Sequence, residues 1–386
     1  MPIRDREWRE PSRAQPKDWF GNQNRTRFRI RARFFDGRLA WQGWFEDRAD
    51  ADAFFFAAVS GSLQYERELW RTPIPWWHPD FVGYEDVWYA VDTVVFLTSP
   101  TGSNQTYTSP IDWNNTGNSV ECVGGGAGGA RASAASTHCT GGGGATYAKI
   151  TSFSFTTPGT TTATYQIGPG GASKSATGAG AAGNTGNPTW FNNTTDPGGG
   201  ADNSKCSAKG GTNGVFGSGN QSGGAGGVDT TSWGTTRNAG GRGGNLTGAS
   251  GGGASGGGGA AGPSGAGGAG VDSTSTGTPQ TAGGTGNNGT ETGGAAGGTA
   301  GASGTEWDGT HGIGSGGGGT QNSSGGNAVA GGGGNYGGGG GGAWCSSSAN
   351  TSTSGAGIQG IIVITYTPVT FMPYTPWPQL GPIMAQ

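Results

Sequence analysis

The sequence predicts a mainly β protein with little regular secondary structure. It comprises a small α+β N-terminal domain, a β-sandwich-like base and a large glycine-rich polyglycine-II helix bundle inserted before a closing strand. Three observations carry this expectation. Of 88 glycines in 386 residues, 80 lie between Gly124 and Gly360, so one part of the chain cannot build a side-chain core. Period-2 alternation of apolar residues recurs on both sides of that region. The most apolar run of the second half, "GIIVITY", comes after the glycine ends.

The N-terminal domain is expected over residues 1–90. Phe28, Ile30, Ala32 and Phe34 alternate with Arg27, Arg29, Arg31 and Arg33, the pattern of a half-buried strand. Asp36-Gly37 supplies a turn with positive φ, and Leu39, Trp41 and Phe45 continue on a returning strand. Asp47 is placed to cap a short helix through "RADADAFFFAAV", which Gly61 stops, and a third strand runs from Leu63 to Trp70. Alternate arginines suit a phosphate backbone, but Glu46, Glu66 and Glu68 on neighbouring elements offer cross-sheet partners. The arginine face is therefore read as structural or protein-docking, without nucleic acid. "RTPIPWWHPDFVGYEDVW", with Trp76 and Trp77, is extended by its prolines and reads as a docking strap.

A β base is expected over 91–168, with strands at Val91–Leu97, Gln105–Thr108, Ser119–Val123, Tyr147–Phe155 and Thr162–Ile167. Residues 358–386 supply the closing strand Ile361–Tyr366 and a proline-rich tail. In that tail Phe371, Tyr374 and Trp377 are candidate docking residues. Strands near both ends of the glycine would bracket it as one long insertion, 169–357.

Ordering roughly 190 residues at about 1–2 kcal/mol each costs hundreds of kcal/mol, and few apolar side chains are present to offset it. A flexible linker is the simplest alternative. Collagen is excluded by the lack of a strict three-residue repeat through the region. Polyproline-II-type glycine helices fit better: their peptide groups point outward, and bare faces let neighbours pair peptide to peptide. The runs are Gly124–Gly129, Gly141–Gly144, Gly223–Gly227, Gly240–Gly244, Gly251–Gly270, Gly293–Gly301, Gly314–Gly319 and Gly331–Gly342. Polar loops separate them.

Chemistry-bearing motifs are weak. "GASGG" matches a nucleophile-elbow spacing without its strand and helix, and "GGASKSATG" lacks the glycine before Lys174 that a phosphate loop needs. His78, His138 and His311 are scattered, and no metal-ligand spacing joins them to Cys122, Cys139, Cys206 and Cys345. The expectation is no enzyme, no cofactor and no metal. Four cysteines permit two disulfides in three pairings, but buried free thiols are expected. No apolar run approaches the roughly 20 residues of a membrane span, and "MPIRDREWREPSR" has no hydrophobic signal region. The glycine-rich part carries seven basic and seven acidic residues, so no net charge steers it to nucleic acid or an anionic membrane.

The loops between glycine runs hold the candidate binding residues: Trp190, Phe191, Asn192, Asn193, Phe216, Trp233, Trp307, Asp308 and His311. Aromatic rings among short polar side chains suit sugars and protein loops, or else cap the ends of the bundle.

"SNQTYTSPIDWNNTGNSVECVGGGAGG", "GGGGATYAKITSFSFTTPGTTTATYQIGPGG" and "GAGIQGIIVITYTP" resemble the glycine-rich domain of bacteriophage tail and fibre proteins over roughly residues 93–368. The glycine interior is also similar to tail-fibre adhesins built on polyglycine-II bundles with receptor-binding loops. The resemblance implies a virion protein made in the bacterial host cytoplasm and exposed on the particle. It would be homo-oligomeric and docked to other virion proteins through its N-terminal domain and C-terminal tail. Its loops would meet a host glycan or outer-membrane protein. The alternative is a head-decoration or tail-shaft protein with the glycine slab as a rigid spacer.

Overall fold

The computed structural model describes residues 25–34, 39–45, 63–72, 80–86, 92–100, 102–134, 137–248, 251–274, 280–297, 313–324 and 326–368. The chain divides into two units, one of 1–93, 111–114 and 366–386, the other of 94–110 and 115–365. In the first unit β1 (Arg25–Phe34), β2 (Leu39–Phe45), β3 (Leu63–Thr72) and β4 (Asp80–Asp86) form an antiparallel sheet ordered β2-β1-β3-β4. Arg29 and Arg31 stand opposite Glu68 and Glu66 in the β1–β3 register, placing opposite charges at paired positions. The helix expected over "RADADAFFFAAV", and Trp76, Trp77, Phe371, Tyr374 and Trp377, lie outside the described residues.

Next along the chain come β5 (Thr93–Leu97), β6 (Gln105–Thr108) and β7 (Asn118–Val123). Then come β8 (Arg131–Ser133), β9 (His138–Cys139), β10 (Tyr147–Thr151), β11 (Thr162–Gln166), β12 (Ser175–Ala176) and β13 (Thr189–Phe191). β14 (Cys206–Ala208), β15 (Phe216–Gly217), β16 (Thr236–Asn238), β17 (Leu246–Thr247), β18 (Gly253–Ala254) and β19 (Ser273–Thr274) follow. β20 (Thr320–Asn322), β21 (Ala328–Val329), β22 (Ala343–Cys345), β23 (Ser352–Thr353) and β24 (Ile361–Tyr366) complete the order.

Two sheets make the base, β16-β10-β7-β24-β5 and β14-β13-β11-β6, with β14 and β13 packed on β7. Alternation along β7 and β10 decides what each face buries. Val120, Cys122, Ala148 and Ile150 share one face, while Val123 and Tyr147 join Ile313, Ile361 and Val363 in a cluster on the other. Glu121 shares the Tyr147 face and is buried. It accepts from the Tyr147 hydroxyl at 2.7 Å and pairs with Lys149 at 3.0 Å, so its charge is compensated.

This architecture corrects the expected class. The described chain is β throughout its regular structure. Its helical elements are two three-residue 3-10 turns, Asp229–Thr231 and Asn287–Gly289. A polyglycine-II helix-bundle fibre fold is therefore replaced by short strands joined by extended glycine segments, and the resemblance to the phage glycine-rich fibre proteins is corrected with it. The physical reason is where the peptides bond. Gly124, Ala127 and Ala130 donate to the carbonyls of Thr146, Gly143 and Thr140; Gly125, Gly128 and Arg131 donate to Asn187, Asn184 and Ala181; Gly126 and Gly129 donate to Ile358 and Gly355. In return Gly211 and Gly214 donate to Gly125 and Gly128, Gly340 and Ala343 to Ala127 and Ala130, and Gly171 to Gly126. Segment 124–131 is thus enclosed by other backbone on every side, with its donors turning to a new neighbour at each residue.

Enclosed segments need glycine or alanine at nearly every position. A Cβ on Gly143 would overlap the carbonyl of Ala225, and one on Gly126 the carbonyl of Gly338. Rim segments need it at two positions in three. In "SGGAGGV", 222–228, Ser222, Ala225 and Val228 face out while Gly224 and Gly227 are buried.

Successive segments run away from the base and back. Their far ends are tied by short strands, as in the sheets β15-β9-β18 and β20-β22-β8.

Candidate polar and aromatic loop site

β13 and β14 pair with Trp190 opposite Ser207 and Phe191 opposite Cys206. Adjacent residues of a strand face opposite ways, so only one of Trp190 and Phe191 can serve the outer surface. Phe191 is wholly buried, edge-on to Phe153 at 5.3 Å and to Tyr107 at 5.9 Å, and belongs to the base core. Trp190 is 7% exposed, and its indole Nε1 has no hydrogen-bond partner.

The chain then turns through Asn192 at φ 60°, a left-handed conformation that asparagine tolerates. The Asn192 side-chain amide donates to Ser204 O at 2.8 Å, and that of Asn193 to Thr195 O at 2.7 Å. The Asn193 N–H donates to Thr164 O, and Asn104 Nδ2 to Thr194 O, fastening the loop to the base. Asp196 accepts from Ser207 Oγ at 2.9 Å and pairs with Lys209.

Trp233 arrives from far along the chain. Its N–H and C=O exchange hydrogen bonds with Ser207, both at 2.9 Å, so Ser207 is flanked by Trp190 and Trp233. The Trp233 ring lies on Gly200, where a Cβ would overlap it, and Lys205 Nζ stands 5.0 Å from the ring centroid. Its Nε1–H donates to Asp202 Oδ1 at 3.0 Å. The Ser204 hydroxyl and N–H bond to the same carboxylate; with Trp233 they hold Asp202 below the usual carboxylate range. Arg237 ties the two loops by donating to Gly200 O and Ser232 O.

Trp190, Asn192, Asn193 and Trp233 are therefore brought together. Phe216 is not: it lies on β15 among the far-end strands, 39% exposed, with its ring against Gly180. Trp307, Asp308 and His311 lie outside the described residues. Sequence reasoning passed over Asp196, Asp202, Lys205, Ser207 and Lys209. The Asp202-x-Ser204 spacing, an aspartate turn onto the N–H two residues on, was the available signal.

Among the described residues no group of three or more His, Cys, Asp or Glu is placed to hold a metal ion. The four cysteines are free and buried. What the loops offer is a fixed set of amide, carboxylate, ammonium and indole groups, a surface chemistry suited to polar ligands. No family model matches the chain, and no curated protein matches it.

Proposed function

We propose that this chain is a non-enzymatic structural protein of a phage virion, exposed on the particle, in which a stiff glycine slab presents loops that recognise the host surface. One observation carries the reading: the slab is held by peptide-to-peptide bonds in rotating directions, so its frame does not rest on a core of loop side chains. Such a scaffold lets loop residues change while the frame stays. The Trp233 ring with Asp202 and Lys205 supports the reading because its polar groups are already oriented before any ligand arrives, while Trp190 and Ser207 are buried. The partners on this reading are a host glycan or outer-membrane protein at the loops. Other virion proteins contact the N-terminal and C-terminal segments, within a homo-oligomer.

The test is to replace loop 194–203 by a short Gly/Ser linker in the particle and to measure adsorption alongside particle yield. The expected result is lost adsorption with normal assembly. Unchanged adsorption with fragile particles would instead mean a spacer or decoration role. Labelling the protein on particles adds position and copy number, few copies at a tail tip being the expected pattern.

A further inference from the structure

The base holds a feature that display does not use. Cys206 Sγ–H donates to the carbonyl oxygen of Ala148 at 3.4 Å, and Ala148 is the residue directly opposite Cys122 in the β7–β10 ladder. The two cysteines are therefore side-chain neighbours on either side of one small residue, where β14 packs on β7. Both cysteines are fully buried and carry free thiols. The other two are placed differently. Cys139 sits among Ala130, Ala132, Ala254 and Trp344, while Cys345 lies in a separate cluster and donates to Thr351 O at 3.4 Å.

We propose that Cys122 and Cys206 are a disulfide site that closes while the chain folds, joining β7 to β14 across the two sheets of the base. The oxidant is a low-molecular-weight disulfide such as glutathione disulfide. One cysteine thiolate attacks a sulfur of that disulfide, whose S–S bond breaks and releases one glutathione thiol. The second cysteine then attacks the protein sulfur of the mixed disulfide and releases the other glutathione. Two protein thiols are oxidised, one glutathione disulfide is reduced to two thiols, and the two cysteine protons end on the glutathione sulfurs.

Timing follows from burial. Thiolate is the attacking form, and burial first, with the neighbouring Cys206 thiol and the Glu121 charge, lifts the Cys122 thiol well above its ordinary range. Once the sheets have met, the Cys122 thiol does not ionise readily, and burial keeps both sulfurs from the oxidant. The redox state of this pair therefore records the conditions under which the chain folded.

The full chain is reduced in denaturant and refolded in a glutathione redox buffer. It is then quenched with N-ethylmaleimide, and non-reduced peptides are read by mass spectrometry. The expected product is a Cys122–Cys206 cross-link, with Cys139 and Cys345 recovered as maleimide adducts. Chain statistics alone favour Cys122–Cys139, which closes a far shorter loop. That pair, or Cys122 and Cys206 both recovered unlinked, overturns the proposal. Reduced protein folded beforehand and placed in the same buffer should stay unlinked over hours. Cross-linking at the refolding rate would overturn folding-time closure. Cys206→Ser gives the same readout at one site, with Cys122 recovered unlinked; should that variant not fold, the wild-type products decide alone.

Discussion

Trp344 lies with its ring against Gly252, and its indole N–H donates to the carbonyl of Ala134 at 2.8 Å. Ring and glycine are complementary: the missing side chain of one makes room for the other. Gly252→Ala places a methyl inside the indole, so Trp344 must leave its rotamer or the backbone must shift. Overpacking of this kind costs about 1–3 kcal/mol. Urea unfolding should show a lower midpoint at unchanged slope, and in a Trp344→Ala background, itself destabilised, adding Gly252→Ala should cause little further loss. An unchanged midpoint for Gly252→Ala would mean that the ring does not sit there.

Two glycines separate the lattice interior from its rim. Gly143 donates to Thr212 O, accepts from Ala127 N–H, and would drive a Cβ into the Ala225 carbonyl. Gly332 has only Ala356 O within reach of a Cβ, at 3.6 Å. Gly143→Ala should destabilise by about 1–3 kcal/mol, through overpacking against backbone that has no rotamer to yield. Gly332→Ala should stabilise by about 0.4–1 kcal/mol through the unfolded chain's lost entropy. Paired chemical unfolding curves check both, and equal shifts would argue against a lattice set by backbone approach.

The base was legible because side chains specify it. The strands expected at Val91–Leu97, Gln105–Thr108, Tyr147–Phe155 and Ile361–Tyr366 are found at Thr93–Leu97, Gln105–Thr108, Tyr147–Thr151 and Ile361–Tyr366, the third ending four residues early. The glycine segments were not, since a peptide bonds equally well to any other peptide and no side chain names the partner. The run 251–270 reads as one segment, yet it doubles back where Gly262 and Gly265 exchange hydrogen bonds, and 331–342 turns at Asn335-Tyr336. A local signal was present all the same: "SGGAGGV" and "AGGRGGN" carry an outward residue at every third position, the mark of a rim segment. Trp190 and Trp233 stood out as aromatic loop residues. Their meeting at Ser207 depends on β14 and could not be read from either neighbourhood alone.

Tyr366 should make the protein sensitive to alkali. Its hydroxyl is pushed up to about 12 by burial first and by the Asp112 carboxylate, which accepts from it at 3.3 Å. An unfolded tyrosine ionises near 10, so below that pH both states keep the proton and stability is fully present. Between about 10 and 12 the unfolded chain loses the proton while the folded chain holds it, and stability falls by on the order of 1–2 kcal/mol. Tyr147, raised in the same direction by burial and Glu121, adds to the slope. Urea unfolding from pH 8 to 12 should show this decline, and Tyr366→Phe should flatten part of it. An identical slope in the variant would assign the decline to other groups.

The loop patch supplies the functional prediction. Trp233 is anchored by its backbone to Ser207, so Trp233→Ala removes a ring and its bond to Asp202 while leaving the pairing intact. Asp202→Asn keeps an acceptor for Trp233 and Ser204 but removes the charge. On the display reading, Trp233→Ala should lower adsorption to host cells at least about tenfold, the scale of losing one aromatic anchor. Asp202→Asn then separates two kinds of ligand. A cationic protein loop should lose affinity with the charge, and more so at low ionic strength. A neutral glycan, which uses the ring and the fixed hydrogen bonds, should bind Asp202→Asn as it binds the parent. Adsorption curves for the two variants at two salt concentrations give the answer, with thermal unfolding to confirm that each has kept its fold. Full adsorption by a folded Trp233→Ala protein would remove this patch from recognition.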